Sequence, residues 1–230
     1  MSRILVTRSE PENRATAQRL LALGHQPLLE PAFTLDFLDV GLPPYDALAF
    51  TSVNGVRAFA RLTSRRDVAA FCVGGRTAAE ARQAGFASVA SAEGDVAALV
   101  DLIAANLEDR ARLLHVGNSE SRGDLAGELG RLGHAAEFRA LFVARAIDSP
   151  GPELARHLSG EPRFEAALIH SPRAASILAG FVQSARAPAP ISIAAISSAA
   201  AAPAASFAAR LACAASPTEE ALLETLLTIA

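Results

Sequence analysis

The amino-acid sequence predicts an α/β protein built from two doubly wound parallel-sheet domains. Three observations carry this prediction. Short apolar strands alternate with helix-length amphipathic stretches, three segments of the first half recur in order in the second, and the matching segments start and stop on similar residues. Strand–helix alternation selects a parallel sheet, because a right-handed crossover through a helix returns the chain to the same direction. Two sets of three such units select two sheets.

The first segment is a strand from Ile4 to Arg8, then Ser9 and Glu12 at capping-box spacing, then a helix closing at Leu23, Gly24 and His25. Its counterpart begins at Leu113 and closes at Leu132, Gly133 and His134. Leu20, Leu23, Gly24 and His25 fall on Leu129, Leu132, Gly133 and His134 at one offset (129 − 20 = 109). The second pair is Tyr45–Ser52 and Phe164–Ser171 (171 − 52 = 119), in which an aromatic and an acid lead an apolar strand. Helical patterns follow at Val56 to Leu62 and Ala174 to Val182. The third pair is Ala70–Ala78 and Ile193–Ala201, with later helices starting near Asp95 and Thr218. Ser216 to Glu220 offers a cap, a proline in the first turn and acids at the positive end of the helix dipole.

With 230 residues, 51% of them hydrophobic, the chain can bury real cores, which excludes a disordered protein. Against 24 acidic residues stand 21 basic ones, a net charge of -3, so nothing draws it generally to nucleic acid. No lysine occurs, a compositional bias that argues against reading function into any single arginine. Cys72 and Cys213 lie in apolar runs and read as buried, reduced thiols. The N-terminus runs straight into a strand without the pattern of an export signal, which leads us to expect a cytoplasmic protein. The alanine-rich tract from Ala194 to Ala215 is interrupted by Ser197, Ser198, Pro203, Ser206 and Arg210. It is too broken to span a membrane and reads as a strand feeding a buried helix.

Ligands on doubly wound sheets bind beyond the carboxyl ends of the strands. Those ends fall at Thr7-Arg8, Thr51-Ser52, Gly74-Gly75, Gly117-Asn118, Ser171-Pro172 and Ser197-Ser198. Small residues, hydroxyls and unpaired N–H groups at helix starts favour anions. Taken singly, each is an ordinary helix cap; their recurrence on one side of both sheets argues for a site. Arg8, Arg76 and Arg173 stand at or just after strand ends, where a guanidinium can pair with a carboxylate. The sequence contains no glycine-rich dinucleotide fingerprint, no Walker loop and no metal-ligand spacing among its five histidines. His25 and His134 read as cationic caps at helix ends, and His115 and His170 as satisfied core residues.

In order along the chain, Ile4–Arg8, Asp46–Val56, Val73–Ala78, His170–Ala175 and Ser216–Leu222 resemble the uroporphyrinogen-III synthases. The resemblance implies swapped connectivity, with residues 1–35 joining 150–230 in one domain and 44–141 forming the other. Two extended linkers, 36–43 and 142–149, would flank a cleft, marked by the breaks at Gly41–Pro44 and Ser149–Pro152. It implies a monomeric lyase of tetrapyrrole biosynthesis that closes hydroxymethylbilane into uroporphyrinogen III with inversion of ring D. No cofactor, metal, nucleic acid or membrane would be involved. Cleft residues carried over are Thr51, Ser52, Val73, Gly74, Thr77, Ser171, Arg173 and Ser197. Thr7, Arg8, Arg76, Gly117, Asn118 and Pro172 join them from the strand ends. Thr77, Ser197 and Ser198 are the candidates for acid catalysis. Two positions depart from the family pattern. Phe142 stands where a tyrosine is common in the linker, and Ser197-Ser198-Ala199-Ala200 where a threonine opens the last repeat's helix. The competing readings are a catalytically silent relative and a non-enzymatic two-domain binding protein.

Overall fold

The computed structural model describes residues 1–108, 110–120 and 123–229. Two compact units emerge, Met1–Thr34 with Arg145–Ala230 (unit 1) and Leu35–Ala144 (unit 2). The strands are β1 (Arg3–Val6), β2 (Gln26–Leu29), β3 (Phe33–Phe37), β4 (Ala47–Phe50), β5 (Ala69–Cys72), β6 (Val89–Ser91), β7 (Arg112–Asn118), β8 (Ala135–Ala146), β9 (Ala166–Ile169), β10 (Ser192–Ala195) and β11 (Arg210–Cys213). Between them run α1 (Glu12–Ala22), α2 (Val53–Leu62), α3 (Gly75–Gln83), α4 (Val96–Asn106), α5 (Leu125–Arg131), α6 (Pro152–Leu158), α7 (Pro172–Ser184), α8 (Ser198–Ala201) and α9 (Glu219–Leu226). Of the stretches read as linkers, residues 36–37 and 142–146 are strand. They belong to β3 and β8, which lie next to each other in one sheet.

The sheet of unit 1 has the order β11-β10-β9-β1-β2, and its registers are all parallel. The other sheet has the order β3-β8-β7-β4-β5-β6, and β8 through β6 pair in parallel. Replacing each strand by its repeat partner converts β11-β10-β9-β1-β2 into β6-β5-β4-β7-β8, so the two sheets share one order apart from β3. In each, the chain winds outward in opposite directions from two central strands, β1 and β9 in unit 1 and β7 and β4 in unit 2. These pairs are the topological switch points.

Central strands are buried on both faces, which is why they read as unbroken apolar runs. Alternate residues of each strand supply two cores. In unit 1, Leu5, Ala167, Ile169 and Ile193 meet α6, α7 and α8, while Ile4, Val6, Ala166 and Leu168 meet α1 and α9. In unit 2, Leu48, Phe50 and Cys72 pack with Val56, Phe59, Ala78 and Ala81 of α2 and α3. Ala47, Ala49 and Phe71 face Leu99 and Ile103 of α4 and Leu125 and Leu129 of α5.

The matched helix stops are structurally equivalent. Gly24 and Gly133 adopt φ of 78° and 91°, and the next N–H, of His25 or His134, donates to the carbonyl of Leu20 (2.9 Å) or Leu129 (3.0 Å). Main-chain N–H groups close both helices alike. At their amino ends the switch-point strands are also tied alike. Arg112 donates to Asp46 Oδ2 at 2.9 Å, and the Arg3 backbone N–H to Glu165 Oε2 at 2.6 Å. Both arginines and both acids are repeat partners (112 − 3 = 109; 165 − 46 = 119).

Four local expectations are corrected. Ser9 does not cap α1: Pro11 is its N-cap, which leaves Ser9 too early in the chain, and the hydroxyl donates to Phe33 O at 3.0 Å. Thr218 caps α9 through the Ala221 N–H, so Pro217 precedes the cap instead of opening the first turn. In the alanine-rich tract the helix after β10 is only Ser198–Ala201, continuing as a 3₁₀ turn over Ala202–Ala204 that contains Pro203. Cys213 is exposed because β11 is an edge strand, whereas Cys72 is buried and burial pushes its thiol up to about 11.

Candidate functional site

Four strand ends turn into helices with one backbone geometry. The N-caps Ser52, Gly74, Ser171 and Ser197 have φ between -157° and -160° and ψ between 152° and 169°. Each serine Oγ accepts from the N–H three residues on, Gly55 at 3.1 Å, Ala174 at 3.2 Å and Ala200 at 3.3 Å. The hydroxyl proton is thereby left to donate outward, and the first N–H groups of a helix have no carbonyl within it to bind. These turns form the carboxyl edges of β4 and β5 in unit 2 and of β9 and β10 in unit 1. Pro172 opens α7 without an N–H, and Arg173 follows with its guanidinium 4.7 Å over the Phe33 ring. Ser198 is exposed in the first turn of α8.

In unit 2, Val73 sits between β5 and its cap, its N–H bonded to Phe50 O at 3.0 Å. Arg76 is exposed on the first turn of α3, while Thr77 beside it is only 5% accessible. Gly117 and Asn118 end β7, where a bulge pairs Asn118 with Phe142. Asn118 Oδ1 accepts from Glu120 N at 3.3 Å and Ala144 N at 3.4 Å. That bulge sends two successive side chains, Leu141 and Phe142, into the same core. Phe142 is therefore an apolar packing residue. The chain's one tyrosine, Tyr45, is buried in the same core and precedes the amino end of β4, opposite the capped turns.

Next to Thr51 at the end of β4, its Oγ1 lies 3.3 Å from His115 Nε2. His115 is buried, as its sequence setting suggested, and rests against Phe138 with ring centroids 5.0 Å apart. Desolvation pushes its pKa down to about 4, so the ring is neutral at pH 7 and offers a single N–H. His157 is likewise enclosed: Nε2 meets Ala189 O and Pro190 O at 3.2 Å, and Nδ1 accepts from Arg163 N at 3.1 Å.

In unit 1 the switch point carries charge. Thr7, just past β1, is buried and its hydroxyl donates to Leu168 O at 3.0 Å. Arg8 Nη1 donates to Glu219 Oε2 at 2.7 Å, and Thr16 Oγ1 donates to Glu219 Oε1 at 2.5 Å. His170, the residue after β9, brings Nε2 to 3.2 Å from Glu219 Oε2. Burial alone would raise the Glu219 carboxyl. Hydrogen bonds from His170 and Thr16, with the charges of His170 and Arg8, outweigh it and hold the group down to about 2. Sequence reasoning named Arg8 but missed Glu219 and Thr16. Glu219 had entered only as a member of the family-like segment Ser216–Leu222 and as an acid in the first turn of α9, where it serves the helix dipole in any case.

Among the described residues, no group of three or more His, Cys, Asp or Glu is placed to hold a metal ion, and no helix is long and apolar enough to cross a membrane. Duplicated parallel sheets with capped turns at the carboxyl edge of each define a two-unit α/β protein. The family model described as "Uroporphyrinogen-III synthase HemD" matches residues 14–224, and the chain belongs to that family. In fold it is similar to uroporphyrinogen-III synthetase from Helicobacter pylori, at 17% identity and TM-score 0.66 over 100% of both chains. It is also similar to a mutant uroporphyrinogen III synthase from the extremely thermophilic bacterium Thermus thermophilus, at 14% identity and TM-score 0.52, covering 100% of this chain and 98% of that one. Comparison of the sequence with curated proteins returned no match.

Proposed function

We propose that this protein is a lyase that cyclises hydroxymethylbilane to uroporphyrinogen III with loss of water and inversion of ring D. The family match over residues 14–224 carries this reading. The substrate is a linear tetrapyrrole armed with acetate and propionate groups, and the capped turns of both sheets offer neutral donors suited to such carboxylates. Thr51, Ser52, Val73, Gly74, Arg76, Gly117 and Asn118 would serve from unit 2. From unit 1 the contributors would be Thr7, Arg8, Ser171, Pro172, Arg173 and Ser197. Cytoplasmic placement and action as a monomer are part of the same proposal.

The chemistry asks little of the protein in acid–base power. A pyrrole nitrogen pushes out the terminal hydroxyl with its own lone pair, so the leaving oxygen needs one proton and departs as water. The harder task is to hold ring D so that its substituted carbon, not its free one, meets the electrophilic methylene. Left alone, the chain closes without inversion. A few kcal/mol between two cyclisations therefore decides the product. No phenol is available for the leaving hydroxyl at the capped turns, since Tyr45 lies before the amino end of β4, at the opposite edge of the sheet, and Phe142 has no donor. That role would fall to Thr77, Ser197 or Ser198, or to water held by them.

Freshly made hydroxymethylbilane given to the purified protein should yield mainly the type III isomer by chromatography of the oxidised products. Only type I, formed no faster than without protein, would exclude the reading.

A further inference from the structure

Duplication supplies an internal control for deciding which features the architecture requires. In unit 1, Val6 of β1 pairs with Leu168 of β9; in unit 2, His115 of β7 pairs with Ala49 of β4. The two pairings are equivalent by the repeat offsets (6 + 109 = 115; 168 − 119 = 49). Unit 1 thus fills this switch-point position with a wholly buried valine, and a histidine is no requirement of the fold. His115 is only 5% exposed. Burying an imidazole where valine serves costs desolvation, which one hydrogen bond of 3.3 Å to a neutral hydroxyl does little more than offset.

That hydroxyl belongs to Thr51, just past the carboxyl end of β4. Among the described residues, Thr51 Oγ1 is the one polar partner of the His115 ring, and the ring is the one polar partner of the Thr51 side chain. The ring is neutral at pH 7, so it has one N–H and one acceptor nitrogen, and the hydroxyl has one proton. With the ring proton on Nε2, the imidazole donates to Thr51 Oγ1 and the hydroxyl proton is left for another acceptor. With it on Nδ1, the ring N–H meets no polar atom of the described residues, and the hydroxyl proton is taken up by Nε2. Thr51 is half-buried and His115 nearly enclosed, so the hydroxyl is the group that can turn to water or ligand. Leaving the donor of the deeper group unpaired is the costlier choice, which selects the Nε2–H form.

We infer that His115 is a positioning residue: its Nε2–H holds the Thr51 oxygen so that the hydroxyl proton turns away from the ring as a donor to a carboxylate of the substrate. The inference rests on the proposed cyclase reading and adds to it the means by which one neutral donor is aimed. A freely turning hydroxyl presents its lone pairs to an anion as readily as its proton; one that already accepts from an N–H presents the proton. Ser52, the next residue, is set in the same way, since its Oγ accepts from Gly55 N at 3.1 Å. The carboxyl end of β4 therefore carries two successive hydroxyls, each held by a protein N–H and each with its proton to give. The Phe138 ring, its centroid 5.0 Å from that of His115, packs beside the imidazole.

Two measurements test this. NMR of the ring nitrogens in the free protein at pH 7 should find His115 protonated on Nε2; a proton on Nδ1 would overturn the inference without any substrate. Steady-state turnover of hydroxymethylbilane by the intact protein, with thermal melts alongside, is the second. Thr51→Val should raise KM about tenfold, the scale of one hydrogen bond to a charged group, with kcat little changed. His115→Val, which installs the residue of unit 1, should also raise KM, and in the Thr51→Val background it should raise it no further. His115→Gln, which keeps an N–H near the place of Nε2, should recover most of the loss. An unmoved KM in His115→Val, or the same rise with and without the Thr51 hydroxyl, would refute the assignment, because a residue that only packs acts alike in both backgrounds. Should His115→Val not fold, the ring-nitrogen measurement on the wild-type protein still decides. Failure of the wild-type protein to form the type III isomer is a separate result that bears on the proposed reaction and leaves the position of the ring proton as measured.

Discussion

His115 and Glu219 show how burial acts on single groups with opposite partners. His115 has the Thr51 hydroxyl and an aromatic ring beside it, neither of them charged, so desolvation prevails and its folded pKa is about 4 against an unfolded 6.5. Between those values the unfolded chain binds a proton that the folded chain refuses, and stability falls as pH drops from 6.5 towards 4. Glu219 has the reverse surroundings, and its folded pKa of about 2 lies below the unfolded 4.5. Its contribution is complete above pH 4.5 and is lost as pH falls towards 2. The His115 imidazole protons, followed by NMR, should titrate near pH 4, and His115→Gln should flatten the stability curve between 6.5 and 4. A midpoint near 6.5 in the folded protein would refute the account. Both histidines of the switch-point strands looked alike in the sequence, as polar interruptions of apolar runs. His170, unlike His115, meets a carboxylate, and that carboxylate lies 49 residues away (219 − 170 = 49).

At the scale of elements, caps and stops proved legible wherever the signal is local. Glycine at positions 24 and 133 ends each helix because the conformation required there, φ of 78° and 91°, crowds any Cβ against the backbone. Nothing lies within 4 Å of a Cβ built at either site, so the cost of substitution is conformational alone. Gly133→Ala should lower stability by about 1–2 kcal/mol in denaturant titration, with turnover unchanged. The Ser9–Glu12 spacing failed as a signal because Pro11 occupied the cap and Phe33 O offered the hydroxyl another partner. Phe142 is a second case. Its burial follows from a bulge opposite Gly117 and Asn118, and the pairing that creates the bulge joins residues too far apart for a local pattern to report.

On the scale of the molecule, swapped connectivity makes the two units unequal in their dependence on chain continuity. Unit 2 is one uninterrupted stretch, Leu35–Ala144, completed by the ends of β3 and β8. Unit 1 needs β1 and α1 from the N-terminal segment: β1 lies between β9 and β2, and Ile4, Val6 and Leu20 form one of its cores with Leu222 and Leu226. A fragment of residues 33–146 should unfold cooperatively on heating by circular dichroism. The fragment 145–230, lacking a central strand and half a core, should not, until a peptide of residues 1–34 is added. Independent cooperative folding of 145–230 would contradict this division of the core.

The sequence by itself determined the duplication, the fold class, the helix stops and the strand ends that carry donors, because each depends on periodicity or on neighbours within a few residues. Tertiary structure alone decided the partners of those strand ends. Arg8, Thr16, His170 and Glu219 meet because parallel pairing sets β1 beside β9 and α9 returns across the same face as α1. Such a meeting leaves no trace in local sequence, since charge complementarity acts through space and the chain separating Arg8 from Glu219 runs to 211 residues.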